Sequence, residues 1–126
     1  MFPLDIAIWE RFLAANAEAF DGFNYDVKVG SGTKDIEARD DAFAKMQEIL
    51  SKYRIDAVGM KGEDLYIIEV KPRATTQGLG QAFIYAKLYE RDFSPKGKII
   101  PVLVTDYEMP DVRYLTRILE IDYYVV

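Results

Sequence analysis

A chain of 126 residues, half of them hydrophobic and 29% charged, has the size and composition of one globular domain with a single core. It holds neither cysteine nor histidine, which excludes disulfides, zinc ribbons, thiol nucleophiles, Ser-His-Asp triads and histidine-based metal centres. Any chemistry falls to carboxylates, lysines, tyrosines, hydroxyls and a bound metal, and the net charge of −5 runs against simple nucleic-acid binding, which usually rests on a basic face.

The first element expected is a helix over Leu4 to Phe20, where Ile8, Trp9, Phe12 and Leu13 recur at helical spacing and Asp5 suits the first turn. Asp21-Gly22 ends it. Phe23 to Val29 alternates as a strand, and Gly30-Ser31-Gly32-Thr33-Lys34 is a loop. Asp40 to Ser51 reads as an amphipathic helix. Arg54 to Met60 and Asp64 to Lys71 read as strands joined in a hairpin by Lys61-Gly62-Glu63-Asp64, with Pro72 expected to stop the second. Thr76 to Arg91 is a helix capped by Thr75 or Thr76. Lys98 to Thr105 is an apolar strand in which Pro101 implies a bulge or an edge-facing nitrogen. Pro110 to Leu119 is a short helix and Ile121 to Val126 a closing strand. No repeat, low-complexity tract or linker divides the chain, so residues 1–126 are expected to form one domain, an α/β sandwich with a central mixed sheet flanked by helices.

No apolar run approaches the roughly 20 residues that span a bilayer. Met1-Phe2-Pro3-Leu4-Asp5 also lacks the basic start of a signal peptide, so a cytoplasmic location without membrane contact is expected.

The chemistry concentrates between Arg54 and Tyr89. Glu69 and Lys71 lie two apart on one strand and so project to the same face, directly after the apolar run Leu65-Tyr66-Ile67-Ile68. The hairpin brings Asp56 alongside. A carboxylate in a buried strand is costly unless paired or metal-bound. Two on adjacent strands repel unless a cation sits between them. Such hard oxygen ligands suit Mg²⁺ or Mn²⁺. Singly, each residue has a plainer reading: Glu69 bridged to Lys71 at a strand end, Asp56 paired with a base, Lys71 a solubilising terminus.

Glu10 has Ile6, Leu13 and Ala14 as helical neighbours, on or beside the apolar stripe. It either completes a metal shell or pairs with Arg11, Arg54 or Arg73. Gln81 and Tyr85 stand one turn apart on one helix face, placed to orient a phosphate or the lysine. Gly78 and Gly80 open that helix at a propensity cost of about 1 kcal/mol each relative to alanine. Close approach of the backbone to the sheet, or to a nucleic-acid backbone, would account for them.

Asp56 followed thirteen residues later by Glu69-Val70-Lys71 resembles the PD-(D/E)XK nuclease superfamily. Gln81-Ala82-Phe83-Ile84-Tyr85 resembles the QxxxY motif of its RecB and lambda-exonuclease branch, and Glu10 matches an acidic residue many members carry on their first helix. Small archaeal Holliday junction resolvases are similar in plan and size. One departure is Ile55 where many members have proline before the aspartate.

The resemblance implies a restriction-endonuclease-like three-layer sandwich. It also implies a metal-dependent deoxyribonuclease with Asp56 and Glu69 as ligands, Lys71 as catalytic lysine, and the Val70 carbonyl also reaching the metal. Phosphodiester hydrolysis by a metal-activated water is the expected reaction, structure-selective or exonucleolytic. Lys28, Lys34, Lys61 and Arg73, at strand ends or loops, are candidates for DNA-backbone contacts. Two other readings stand beside this one: a catalytically silent subunit of the same fold acting in nucleic-acid binding or protein assembly, and an unrelated α/β protein with boundary salt bridges. Tyr123-Tyr124-Val125-Val126 reads as an apolar edge strand that a homodimer would cover. A protein partner could supply the DNA affinity an acidic chain lacks.

Overall fold

The computed structural model describes residues 1–32 and 52–126. Helix α1, Pro3–Asn16, continues into a 3-10 turn, Ala17–Ala19. Strands β1, Gly22–Val29, β2, Tyr53–Lys61, and β3, Asp64–Ala74, follow. Helix α2, Thr76–Phe93, leads to β4, Ile99–Glu108, and helix α3, Val112–Ile118, to β5, Asp122–Val125. The helix expected over 40–51 and the candidate Lys34 lie outside the described residues.

Local chemistry explains the helix starts. Pro3 opens α1, where its fixed φ suits the helix and its missing N–H costs no hydrogen bond. The Asp5 carboxylate accepts the Phe2 N–H at 3.0 Å. On α2 the cap is Thr75, whose hydroxyl accepts the Gly78 N–H at 3.2 Å.

The five strands pair in chain order, β1-β2-β3-β4-β5. The first three are antiparallel, whereas β3–β4 and β4–β5 are parallel and joined through α2 and α3. The β2–β3 turn is tight: Lys61 pairs with Asp64, and Gly62 takes φ 59°, a left-handed conformation that suits glycine. Gly97 packs on this turn so closely that a Cβ there would collide with the Glu63 carbonyl.

Pro72 does not end β3, which runs on to Ala74 alongside β4. The Val70 N–H points toward β2, where it meets Asp56, so the nitrogen two residues later faces the same way. The β2–β3 ladder has already ended at Ala57–Ile68, and no partner is lost at Pro72. Pro101 follows the same logic on β4. Thr105 uses its carbonyl toward the β5 side, accepting the Val126 N–H, so the Pro101 nitrogen faces that side too, one residue before pairing with β5 begins at Val102.

Helices cover both faces. On one, Ile8, Trp9 and Phe12 of α1 pack onto Ala57, Ile68, Val70, Val102 and Val104. On the other, Leu79 and Ala82 of α2 meet Leu103 and α3's Val112, while Ala86 meets Ile55, Val58 and Ile67. Gly78 is buried against Lys71 and Leu103, so its close approach is to the sheet, whereas a Cβ at Gly80 would meet nothing within 4 Å among the described residues. At the β5 edge Tyr124 turns inward onto Phe12, with ring centres 5.1 Å apart. Among the described residues no helix is long and apolar enough to cross a membrane.

Candidate active site

Past the Ala57–Ile68 pair, β2 and β3 separate and side chains take over the hydrogen bonding. The Val70 N–H donates to Asp56 Oδ2 at 2.8 Å, and the Asp56 N–H donates to Glu69 Oε1 at 3.3 Å. Each strand thus offers a carboxylate to the other's backbone. On the opposite side of β2, the register with β1 steps over Asp26 and Asp56. Asp26 has φ 55°, a conformation that costs an aspartate energy in mid-strand.

Glu69 is 2% exposed and Asp56 half-buried. Burial, then the charge on Asp56, pushes the Glu69 carboxyl from its usual 4.5 up to about 8, against the opposing pull of Lys71. Burial likewise raises Asp56, while the Val70 N–H and Lys71 pull it back. Two acids that resist ionising together form a site short of positive charge. Burial and the charge on Glu69 raise the Tyr85 hydroxyl as well.

A pocket of about 590 Å³ gathers Asp56, Glu69, Val70, Lys71, Gln81 and Tyr85. Gly78 leaves room for α2 to lie against the Lys71 stem, which sets Gln81 and Tyr85 over the carboxylates. Tyr85 packs on Tyr53, ring centres 5.4 Å apart. The Gln81 Oε1 is buried without a partner among the described residues, an acceptor lacking a donor.

Glu10 is not in this pocket. It is exposed and lines an adjoining recess that shares Asp56. The acid that α1 contributes to the main pocket is Asp5, five residues earlier and about 140° around the helix. Its charge adds to the upward push on Asp56. Arg54 also lines the pocket, and it was open to discovery: the alternation that groups Glu69 with Lys71 groups Arg54 with Asp56. Asp5 had no comparable signal, since a first-turn aspartate reads as a cap.

Of the candidate backbone contacts, Lys28 pairs across the ladder with Arg54 beside the pocket. Arg73 is exposed, two residues beyond Lys71, with its guanidinium 5.6 Å from the centre of the Tyr107 ring. Lys61 lies at the hairpin end of β2, roughly 17 Å along the strand from Asp56.

The donor set suits a hard divalent cation. Two carboxylates face each other, and the Val70 carbonyl points to the same strand edge as its N–H. Among the described residues no group of three or more acids stands close enough to hold a metal unaided, so water or a substrate phosphate would complete the shell.

No family model matches the sequence, and no curated protein sequence matches it significantly. Solved structures match the fold. A repair endonuclease from Pyrococcus abyssi aligns with a TM-score of 0.58 at 11% identity, over 96% of this chain and 46% of that one. EndoMS in a complex with double-stranded DNA aligns at 0.57 and 14% identity, over 100% of this chain and 46% of that one. A protein of unknown function aligns at 0.55 and 16% identity, over 95% of this chain and 56% of that one. The chain therefore spans about half the length of the solved proteins it resembles. Its fold is that of the restriction-endonuclease-like nucleases, a mixed sheet between helices.

Proposed function

We propose that this chain is an Mg²⁺- or Mn²⁺-dependent deoxyribonuclease of the PD-(D/E)XK kind, in the QxxxY branch. The observation that carries the reading is the pairing of buried Glu69 with half-buried Asp56, held on adjacent strands by reciprocal bonds to backbone N–H groups, with Lys71 in the same pocket. Asp56, Glu69 and the Val70 carbonyl would hold the cation. When bound, the cation lowers the pKa of a water and stabilises charge on the phosphate. Lys71 aims its ammonium at the attacking water or at a non-bridging phosphate oxygen, where negative charge develops. The orphan Gln81 carbonyl accepts from that water or from Lys71, and Tyr85 closes the wall. Water adds to phosphorus, the bond to the leaving sugar oxygen breaks, and a proton moves to that oxygen.

The likeness to a repair endonuclease and to a DNA complex of EndoMS supports DNA as substrate. Structure-selective or exonucleolytic cleavage fits a pocket whose described lining includes two strand carboxylates, Lys71, Arg54 and helix residues at a strand edge. A homodimer or a protein partner in the cytoplasm would supply affinity and cover the β5 edge. The net charge of −5 favours a second reading, a silent subunit of the same fold.

Labelled single-stranded, duplex, flapped and four-way DNA, incubated with Mg²⁺ or Mn²⁺, decides between them. Metal-dependent cutting that Lys71→Ala reduces by a hundredfold or more supports the nuclease. No cutting of any substrate, with no metal-induced rise in melting temperature, supports the silent subunit.

A further inference from the structure

Among the described residues that line the pocket, two carry cationic side chains: Lys71, beside the carboxylates, and Arg54. Arg54 has no place in the chemistry above. Its side chain is 52% exposed, and it pairs loosely with Asp26, Nε to Oδ1 at 3.5 Å. Directly opposite it on β1 stands Lys28. Like charges facing each other across a ladder destabilise a sheet. Asp26 offsets that repulsion only weakly, being 56% exposed, and it does so from a left-handed backbone that costs energy. Among the described residues no other acid pairs with Arg54 or Lys28 within 4.0 Å. The neighbouring Tyr53, packed on Tyr85 of α2 with the rings tilted, anchors the start of β2 and with it the backbone of Arg54.

We infer that Arg54 is a substrate-positioning residue: together with Lys28 it binds a backbone phosphate next to the scissile one, exchanging Asp26 for that phosphate as the nucleic acid enters. The inference rests on reading the pocket as a phosphodiester site. A guanidinium offers two parallel N–H donors to a phosphate, a geometry a lysine cannot reproduce. An exposed and long ion pair is easily exchanged for such a partner.

The test is binding of fluorescent single-stranded and duplex oligonucleotides in EDTA, at several salt concentrations, with cleavage followed separately in Mn²⁺. Arg54→Ala is expected to reduce the slope of log affinity against log salt by about 0.7–0.9, the loss of one phosphate contact. It should raise KM about tenfold and leave kcat within about twofold. Arg54→Lys should retain most of the slope. Asp26→Asn should tighten binding in the wild-type background and change nothing in the Arg54→Ala background. Arg117→Ala on α3 serves as a remote control and should leave the slope unchanged. If Arg54→Ala keeps the wild-type slope and KM while the wild type cuts DNA, this inference falls and the nuclease reading stands. If binding shows the Arg54-dependent slope and nothing is cut, the Arg54–phosphate contact stands and the nuclease reading falls, together with the placing of that phosphate beside a scissile one.

Discussion

Replacing Glu69 by glutamine should make the metal-free protein more stable in alkaline solution while removing its response to metal. In the unfolded chain the Glu69 carboxyl ionises near 4.5, but in the folded protein it holds its proton up to about 8. The folded state therefore binds the extra proton between those values. Its stability is full below the lower value and falls as pH rises through the upper one. At about 1.4 kcal/mol per tenfold change, that interval corresponds to on the order of 5 kcal/mol. Asp56 is raised in the same direction and adds to the trend. Glutamine holds the neutral shape at every pH, accepting the Asp56 N–H with its oxygen and donating its NH₂ to the Asp56 carboxylate. Thermal unfolding in EDTA from pH 4.5 to 9 measures the difference. At roughly 4 °C per kcal/mol for a domain of this size, the two proteins should melt together near pH 4.5. By pH 9 they should separate by about 10–20 °C in favour of the mutant. Millimolar Mn²⁺ should reverse the order by stabilising the wild type alone. Parallel melting curves across the range, or a mutant less stable at pH 9, would refute the claim that burial and Asp56 together burden Glu69.

Asp5→Asn should weaken Mn²⁺-dependent cleavage and Mn²⁺-induced stabilisation about tenfold, and Glu10→Gln by less than twofold, because Asp5 lines the main pocket and Glu10 is exposed beside it. Metal titration followed by melting temperature checks the order of the two. Gly97→Ala should cost about 1–3 kcal/mol, since its methyl meets the Glu63 carbonyl in the tight turn below β4. A urea midpoint equal to the wild type's would show that the turn gives way freely. Lys71→Ala should lower stability in EDTA only slightly, because the ammonium makes no ion pair within 4.0 Å among the described residues and gives up only its longer-range pull on Asp56 and Glu69. A large fall in melting temperature would mark Lys71 as structural.

The residues that alternate were the ones the sequence could place. Period-two spacing put Glu69 beside Lys71, and a tight hairpin could only bring Asp56 alongside; both arrangements are present. Thr75 as a cap and the outward nitrogen of Pro101 follow from equally local chemistry. Features that depend on where two strands separate were hidden. Pro72 reads as a stop until the β2–β3 ladder is seen to end four residues earlier, at Ile68. The inward side of α1 was obscured because its apolar residues do not all point inward: Leu4 and Ile6 are exposed, while Asp5 between them is buried. Helical phase read from hydrophobicity therefore sets Glu10 on or beside the apolar stripe, although its side chain is exposed. The reciprocal bonds between carboxylates and backbone N–H groups had no trace in the sequence, since they exist only once the register is set.

The strands stand side by side in the order in which they occur in the chain, each paired with the one before it. Such a topology closes short loops first, and contacts between sequence neighbours form faster than distant ones. The hairpin of β2 and β3, the most local pairing among the described strands, is also the one that carries Asp56, Glu69 and Lys71. On this order of assembly the acids meet while still hydrated, with ample water to screen them. They lose that water only when α1 closes one face and α2 the other. If the burden arrives late in this way, with helix docking, it bears on how long the finished fold survives more than on how quickly it forms. Glu69→Gln should then slow unfolding at pH 9 while leaving the refolding rate nearly unchanged.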